Sequence, residues 1–225
     1  MQSWFITGTD TDVGKTYVGS LLMRSVVLRG KSVIGYKPVS AGCEWINGEW
    51  VNDDAQQYQK LSSIGVCLKE VNPIAFEPPI APHIAAKKAG QTITVEQLMQ
   101  GYHALARYKP DVLITEGAGG WQLPLGNQCF MPALPVNCNM QVIMVVGLRL
   151  GCLNHALLTA QAIKASGATL AGWIGNTLSP DMPYKNENIT TLTDILGSPL
   201  AIVPFATPLS DEALSSLTQS LFAKE

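Results

Sequence analysis

Gly8-Thr9-Asp10-Thr11-Asp12-Val13-Gly14-Lys15-Thr16 follows the apolar run Trp4-Phe5-Ile6 and leads into Tyr17-Val18-Gly19-Ser20-Leu21-Leu22-Met23-Arg24. The run before it has strand character, and the residues after it put apolar side chains at helical spacing. Strand, glycine loop and helix in that order are the setting of a phosphate-binding loop. In such a loop successive backbone N–H groups converge on one anion, and the helix N-terminus adds its partial positive charge. Gly14 lets the backbone approach phosphate, Lys15 can reach the outer phosphates, and the Thr16 hydroxyl can ligate Mg²⁺. Five residues separate Gly8 from Gly14, which makes the loop one residue longer than the common G-x-x-x-x-G-K-[ST] form.

Outward from this loop the chain alternates strands and helices. The first helix continues to about Arg29 and meets Gly30, a suitable left-handed closing residue. Residues 32–37 read as a second strand stopped by Pro38. Lys37 then stands at the carboxyl end of a strand, where open α/β sheets bind ligands. Residues 42–52 read as a polar surface loop, and Asp53 and Asp54 open a short helix over 55–61 with carboxylates at its positive end. Residues 71–92, rich in proline and including Pro82-His83, read as a long ordered loop. Thr94 and Gln97 form a capping-box pattern for a helix to about Tyr108. Residues 111–116 form a strand ending in Glu116 before Gly117-Ala118-Gly119-Gly120, and 141–146 is apolar enough for a strand covered on both faces. A helix over 153–166, a strand over 170–175 reaching Asn176, a helix over 188–196 and a strand over 200–203 complete the alternation. The pattern predicts a three-layer α/β fold of the P-loop NTPase type with a mostly parallel central sheet, formed by residues 1–225 as one domain.

Composition narrows the function classes. Hydrophobic residues make up 47% of the chain and charged ones 14%, enough for a large core and too apolar for disorder. The low charge fraction also points to apolar surface buried between subunits. The net charge is −2 without a Lys/Arg cluster, which argues against nucleic acid as a partner. Five cysteines without a C-x-x-C pair read as free thiols of a reducing compartment. No basic-then-apolar leader opens the chain, and no apolar run reaches the roughly 18–20 residues that span a bilayer. A cytoplasmic protein that uses neither membrane nor nucleic acid is the expectation.

Three carboxylates, Asp12, Asp54 and Glu116, end strands or open helices on the side of the loop. Mg²⁺ takes a few oxygen ligands plus water and phosphates, so Thr16 with some of these makes a reasonable site. Lys37, a second cation near the loop, suits charge neutralisation during phosphoryl transfer. His83 and His155 fit either substrate contact or packing, while His103 fits packing. These residues support a Mg²⁺-dependent NTPase or phosphoryl-transfer enzyme without naming a substrate.

The phosphate loop, together with Tyr36-Lys37-Pro38-Val39, Glu116-Gly117-Ala118-Gly119-Gly120-Trp121 and Gly151-Cys152-Leu153-Asn154-His155-Ala156, resembles the dethiobiotin synthetases of biotin biosynthesis. The resemblance runs from the first strand to about Pro204, and the long loop with Thr9 is that family's form. It implies a homodimeric enzyme that uses ATP and CO₂ to close a ureido ring on 7,8-diaminononanoate, through a carbamate and a mixed carbamic–phosphoric anhydride. It further implies that Asp12, Val13, Gly14, Lys15, Thr16 and Tyr17 wrap the phosphates, that Thr16, Asp54 and Glu116 hold Mg²⁺, and that Lys37 is catalytic. By the same resemblance Gly117, Ala118 and Gly119 line phosphates and substrate, and Asn176, Pro204 and Phe205 meet the adenine. Thr11, Lys37 and Ala41 would face the substrate, and the turn of Gly151, Cys152 and Asn154 would offer N–H groups to its carboxylate across the dimer interface. Asp12 stands where the family commonly has Glu, Ala41 where it has a hydroxyl residue, and Thr177 where it often has Asp.

A different class shares the loop architecture: switch ATPases of the partitioning and septum-placement type, which act by nucleotide-dependent dimerisation. Those carry a second lysine in the loop at the place of Asp10 here.

Overall fold

In the computed structural model, which describes residues 1–222, β1 (Gln2–Gly8) runs into the glycine loop and α1 (Lys15–Leu28) leaves it. There follow β2 (Val33–Tyr36), β3 (Val39–Ala41), β4 (Glu44–Ile46), β5 (Glu49–Val51), α2 (Asp53–Leu61), α3 (Leu68–Val71), β6 (Ile74–Phe76), α4 (Pro82–Lys88) and α5 (Val95–Ala106). The second half holds β7 (Val112–Gly120), β8 (Pro124–Gly126), β9 (Cys129–Phe130), α6 (Ala133–Asn137), β10 (Gln141–Leu148), α7 (Cys152–Ala165), β11 (Thr169–Thr177), α8 (Lys185–Leu196), β12 (Ala201–Val203), α9 (Asp211–Leu217) and α10 (Gln219–Phe222).

The main sheet has the order β12-β11-β10-β1-β7-β2, with every neighbouring pair parallel. Strand alternation sorts its side chains into two cores. Phe5, Leu113, Val142, Met144 and Val146 face the layer of α4 to α8. Trp4, Ile6, Val112, Ile114, Ile143 and Val145 face the layer of α1, α2 and α9. Both faces being covered, the central strands have no solvent side, which is why β10 reads as a continuous apolar run. The sheet and the two helix layers are those expected from the sequence.

The parallel arrangement brings one set of chain ends to one edge. Gly8, Lys37, Arg149, Asn176 and Pro204 lie at or just past the carboxyl ends of their strands, whereas Glu116 sits midway along β7, which runs on to Gly120 and does not end at Glu116 as the sequence suggested. Registers fix their relative heights: Ile6 pairs with Glu116 and Gly8 with Gly120, and Gly147 pairs with Asn176.

Local signals explain the element ends. Gly30 takes φ 71 behind α1, as its role as closing residue requires. At α5, Thr94 Oγ1 accepts from the Gln97 N–H (3.2 Å) and Gln97 Oε1 accepts from the Thr94 N–H (3.0 Å), a complete capping box.

Two expectations need correction. Residues 42–52 are not a loop but hold the antiparallel hairpin β4–β5. Asn47 (φ 51) and Gly48 (φ 91) supply the two left-handed residues of a tight hairpin turn, and Trp45 meets Trp50 edge-on at 5.0 Å. Residues 71–92 likewise contain β6, parallel to β3, and the helix α4. Pro82 begins α4, a position where the missing N–H costs nothing. The tail beyond Pro204, left unassigned by the sequence, forms α9 and α10 and covers the Trp4 side of the sheet with Leu214, Leu217 and Leu221.

Candidate active site

The glycine loop folds over its own lysine. Gly14, at φ 86, turns the chain into α1, and Lys15 Nζ donates to the Asp10 carbonyl at 3.0 Å. Asn176, on β11, braces the loop from behind by donating its amide to the Val13 carbonyl at 2.9 Å. The fit is close: a Cβ on Gly14 would stand 2.2 Å from that amide nitrogen. Asp10 forms an exposed ion pair with Arg149, tying the loop to the end of β10.

Charges converge beside the loop. Glu116 is buried, and its Oε1 accepts from the Thr16 hydroxyl (3.0 Å) and from Lys37 Nζ. Lys37 Nζ also donates to the Gly117 carbonyl (3.3 Å) and lies 3.6 Å from Asp54 Oδ2. Asp54 arrives on the first turn of α2, which Asn52 caps by accepting from the Ala55 N–H at 3.3 Å. Asn72 holds the Lys37 backbone by donating to its carbonyl at 2.6 Å and accepts from Ser40 Oγ at 2.7 Å.

Burial by itself pulls the Lys37 pKa down, but the charges of Glu116 and then Asp54 outweigh it and leave the ammonium above its ordinary value. Lys15 goes the other way: burial first, and repulsion from Lys37 second, lower its pKa. Two ammonium groups therefore stand close together, one compensated by carboxylates and one waiting for an anion. Glu116 Oε2 is buried without a hydrogen-bond partner among the described residues. Two carboxylates and a hydroxyl are hard oxygen donors of the kind that suit a small divalent cation completed by water and phosphate.

These groups line a cavity of about 780 Å³, which also takes in Thr11, Asp12, Gly14, Ser40, Ala41, Ala118 and Gly119 and has an apolar wall of Pro79, Ile80, Pro82 and Leu123. A second hollow of about 450 Å³ lies behind the loop, lined by Tyr17, Asn176, Thr177, Pro204 and Phe205. Val13 and Gly117 meet the site through their carbonyls, on Asn176 and Lys37. Gly151, Cys152 and Asn154 stand apart: they line neither cavity, Cys152 being buried and Asn154 exposed at the start of α7. None of the three histidines lines either cavity, and His103 packs against Tyr102 at 5.2 Å.

The proline-rich segment, expected as a long ordered loop, supplies the Pro79–Pro82 wall, while Asn52, Ser40 and Asn72 were not expected at the site. Asn52 had a signal, since Asn before Asp53-Asp54 is a helix-start pattern. The others come from segments too short or irregular to show a period.

The AAA domain family profile matches residues 2–213. A curated relative, the ATP-dependent dethiobiotin synthetase BioD of Alteromonas mediterranea, is 46% identical over 232 residues, covering 98% of this chain and 100% of the relative. The protein of the same name from Aromatoleum aromaticum is 44% identical over 90% of each chain. Among solved structures, the MinC:MinD cell division complex of Aquifex aeolicus matches with a TM-score of 0.62 at 15% identity, over 100% of this chain and 97% of the other. The septum site-determining protein MinD of Pyrococcus horikoshii, complexed with Mg-ADP, matches at 0.55 and 16% identity, over 100% and 96%. The MinD likeness bears on the fold, that of P-loop NTPases; nearly full-length identity at these levels bears on the family. The chain belongs to the ATP-dependent dethiobiotin synthetase family.

Proposed function

We propose that this protein carboxylates 7,8-diaminononanoate with CO₂ and closes its ureido ring at the expense of ATP, giving dethiobiotin, ADP and phosphate. The observation that carries this reading is the convergence of Lys15, Lys37, Thr16, Asp54 and Glu116 on one end of the cavity, against the phosphate loop. Ring closure of this kind needs two anions held together, a carbamate and a triphosphate, and a lone loop lysine could not neutralise both.

One amine of the substrate takes up CO₂ as a carbamate and loses a proton. A carbamate oxygen attacks the γ-phosphorus, the bond to the β-phosphate oxygen breaks, and ADP leaves. The second amine then attacks the carbamoyl carbon and expels phosphate, which closes the ring. The amides of residues 12–17 and the start of α1 hold the triphosphate, with Lys15 on its outer phosphates. Lys37 lies between loop and carboxylates, where it can meet carbamate and γ-phosphate as their charges approach. Gly117, Ala118 and Gly119 let both anions come close to the strand end, while Thr11 and Ala41 face the diamine. Thr16, Asp54 and Glu116 would hold Mg²⁺, which when bound supplies charge neutralisation on the phosphates. Tyr17, Asn176, Pro204 and Phe205 form the hollow behind the loop that suits an adenine.

The same reading includes a homodimer and a cytoplasmic location. Gly151, Cys152 and Asn154 would then serve a substrate carboxylate in the neighbouring subunit's cavity. Among the described residues no helix is long and apolar enough to cross a membrane. The fold likeness to MinD favours the switch-ATPase alternative, but Asp10, paired with Arg149, occupies the place of that class's second lysine. Incubation with ATP, Mg²⁺, bicarbonate and the diamine tests the proposal: dethiobiotin forms, and omission of either carbon substrate abolishes it. Failure to form dethiobiotin under these conditions would refute the assignment.

A further inference from the structure

Tyr58 is fully buried although it lies on α2, whose sequence Asp-Asp-Ala-Gln-Gln-Tyr-Gln-Lys-Leu is otherwise mostly polar. Its ring fills a slot between two glycines. A Cβ on Gly35 of β2 would stand 2.4 Å from Tyr58 Cδ1, and a Cβ on Gly19 of α1 would stand 1.8 Å from the phenol oxygen. A side chain at either position would close the slot, so two neighbouring elements fix where the hydroxyl goes.

That hydroxyl is buried and has no hydrogen-bond partner among the described residues; the same holds for Glu116 Oε2. The same Cβ on Gly19 would stand 3.1 Å from Ile6 Cδ1, and Ile6 is the residue that pairs with Glu116 across β1 and β7, which brings the hydroxyl to the neighbourhood of the carboxylate. After burial itself, the charge of Glu116 is the main cause that holds the Tyr58 phenol well above its ordinary pKa, with Asp54 contributing less. A buried donor and a buried acceptor that close together cost free energy until they pair. The other oxygen of the carboxylate, Oε1, is the one shared by Thr16 and Lys37 on the cavity side.

We propose that Tyr58 is a positioning residue: its hydroxyl donates to Glu116 Oε2 and so turns Oε1 toward the cation held at Thr16 and Asp54. The proposal rests on the reading of Glu116 as a metal ligand. Tyr58 stands one helical turn after Asp54, on the same face of α2. α2 thus delivers one ligand directly and orients the other through a tyrosine. Ligating carboxylates are commonly held by such outer hydrogen bonds, and loss of one costs about 10–100-fold in metal affinity or activity.

Tyr58→Phe keeps the ring in its slot and removes only the hydroxyl. The direct readout is titration of Mn²⁺, followed by electron paramagnetic resonance, into enzyme saturated with a non-hydrolysable ATP analogue. The expected result is a Mn²⁺ dissociation constant raised about tenfold or more. The Mg²⁺ concentration for half-maximal turnover should rise in parallel, while kcat at saturating Mg²⁺ stays near that of the parent protein. Gly19→Ala, whose methyl group would take the place of the hydroxyl, is expected to loosen Mn²⁺ as well. Unchanged Mn²⁺ affinity in Tyr58→Phe overturns the proposal, even if its thermal midpoint falls, because packing alone would then explain the residue. Glu116→Gln in the same titration separates the two levels. If it loosens Mn²⁺ and Tyr58→Phe does not, the tyrosine assignment alone fails; if it has no effect, the ligand reading fails and takes the tyrosine with it.

Discussion

Lys37→Met replaces an ammonium by an uncharged chain of similar length at the most tightly coupled point of the site. Lys37 is 4% exposed and Glu116 1%, so neither charge is well solvated, and Asp54 lies 3.6 Å away. Loss of one member of a buried pair costs about 3–5 kcal/mol, because the other charge is left without compensation. A domain has only about 5–15 kcal/mol in total. The Asp10–Arg149 pair is a useful contrast: both side chains are 46% exposed, and its loss should cost about 1 kcal/mol or less. Lys37 titrates above its ordinary value of 10.5, so its contribution is complete below that pH and fades only as pH rises through the raised folded-state value. Experiments near neutrality therefore sample the pair at full strength. Urea unfolding without Mg²⁺ or nucleotide should show a clearly lowered midpoint for Lys37→Met. The double variant Lys37→Met/Glu116→Gln should recover much of the loss by removing the stranded carboxylate. In turnover, loss of one electrostatic contact to the transition state costs about 10²–10³-fold, seen in kcat more than in ATP affinity. A Lys37→Met protein with an unchanged urea midpoint and near-normal turnover would refute both the buried pair and the catalytic role.

Three further outcomes follow from the same geometry. Glu116→Gln keeps the shape of the side chain and leaves Asp54, 3.6 Å away, to face Lys37, so its urea midpoint should fall less than that of Lys37→Met, and it should need more Mg²⁺ for half-maximal turnover; equal activity at limiting Mg²⁺ would exclude the ligand assignment. Lys15→Met should weaken ATP binding in calorimetry without lowering the urea midpoint, since burial and Lys37 already disfavour this ammonium in the folded state. Its lowered folded-state pKa also means that parent stability rises as pH climbs through that value toward 10.5, a rise the variant should lack. Gly14→Ala places a methyl group against Asn176 at φ 86 and should impair ATP binding, whereas Gly30→Ala, at φ 71 with nothing within 4 Å, should cost about 1 kcal/mol and leave ATP binding intact.

The sheet and its helices were legible because their signals are periodic and long. β10 is an unbroken apolar run, and the loop from Gly8 to Thr16 carries both its turn chemistry and its destination. Lys37 could be placed at a strand end and Glu116 on the strand before the glycine run, although β7 continues to Gly120, and the parallel order brings the two together. What stayed hidden depends on contacts between distant short segments. The hairpin at 44–51 carried the Asn47-Gly48 turn signal, but its three-residue strands are too short to show alternation. β6 exists only because it pairs with β3. Asn72 and Tyr58 owe their roles to neighbours many residues away, Lys37 and Ser40 for the one, Gly19 and Gly35 for the other. Asn176 illustrates a mixed case, since its place at the end of β11 was readable and its bond to the Val13 carbonyl was not.

The two-lysine site joins carbon substrates and does not act as a nucleotide-driven switch. Its most direct test follows ADP release by the purified protein while the diamine and bicarbonate are supplied singly and together. Rapid ADP release should need both, with one dethiobiotin formed for each ADP. Rapid hydrolysis without the diamine, stimulated instead by a protein partner or by DNA, would contradict it.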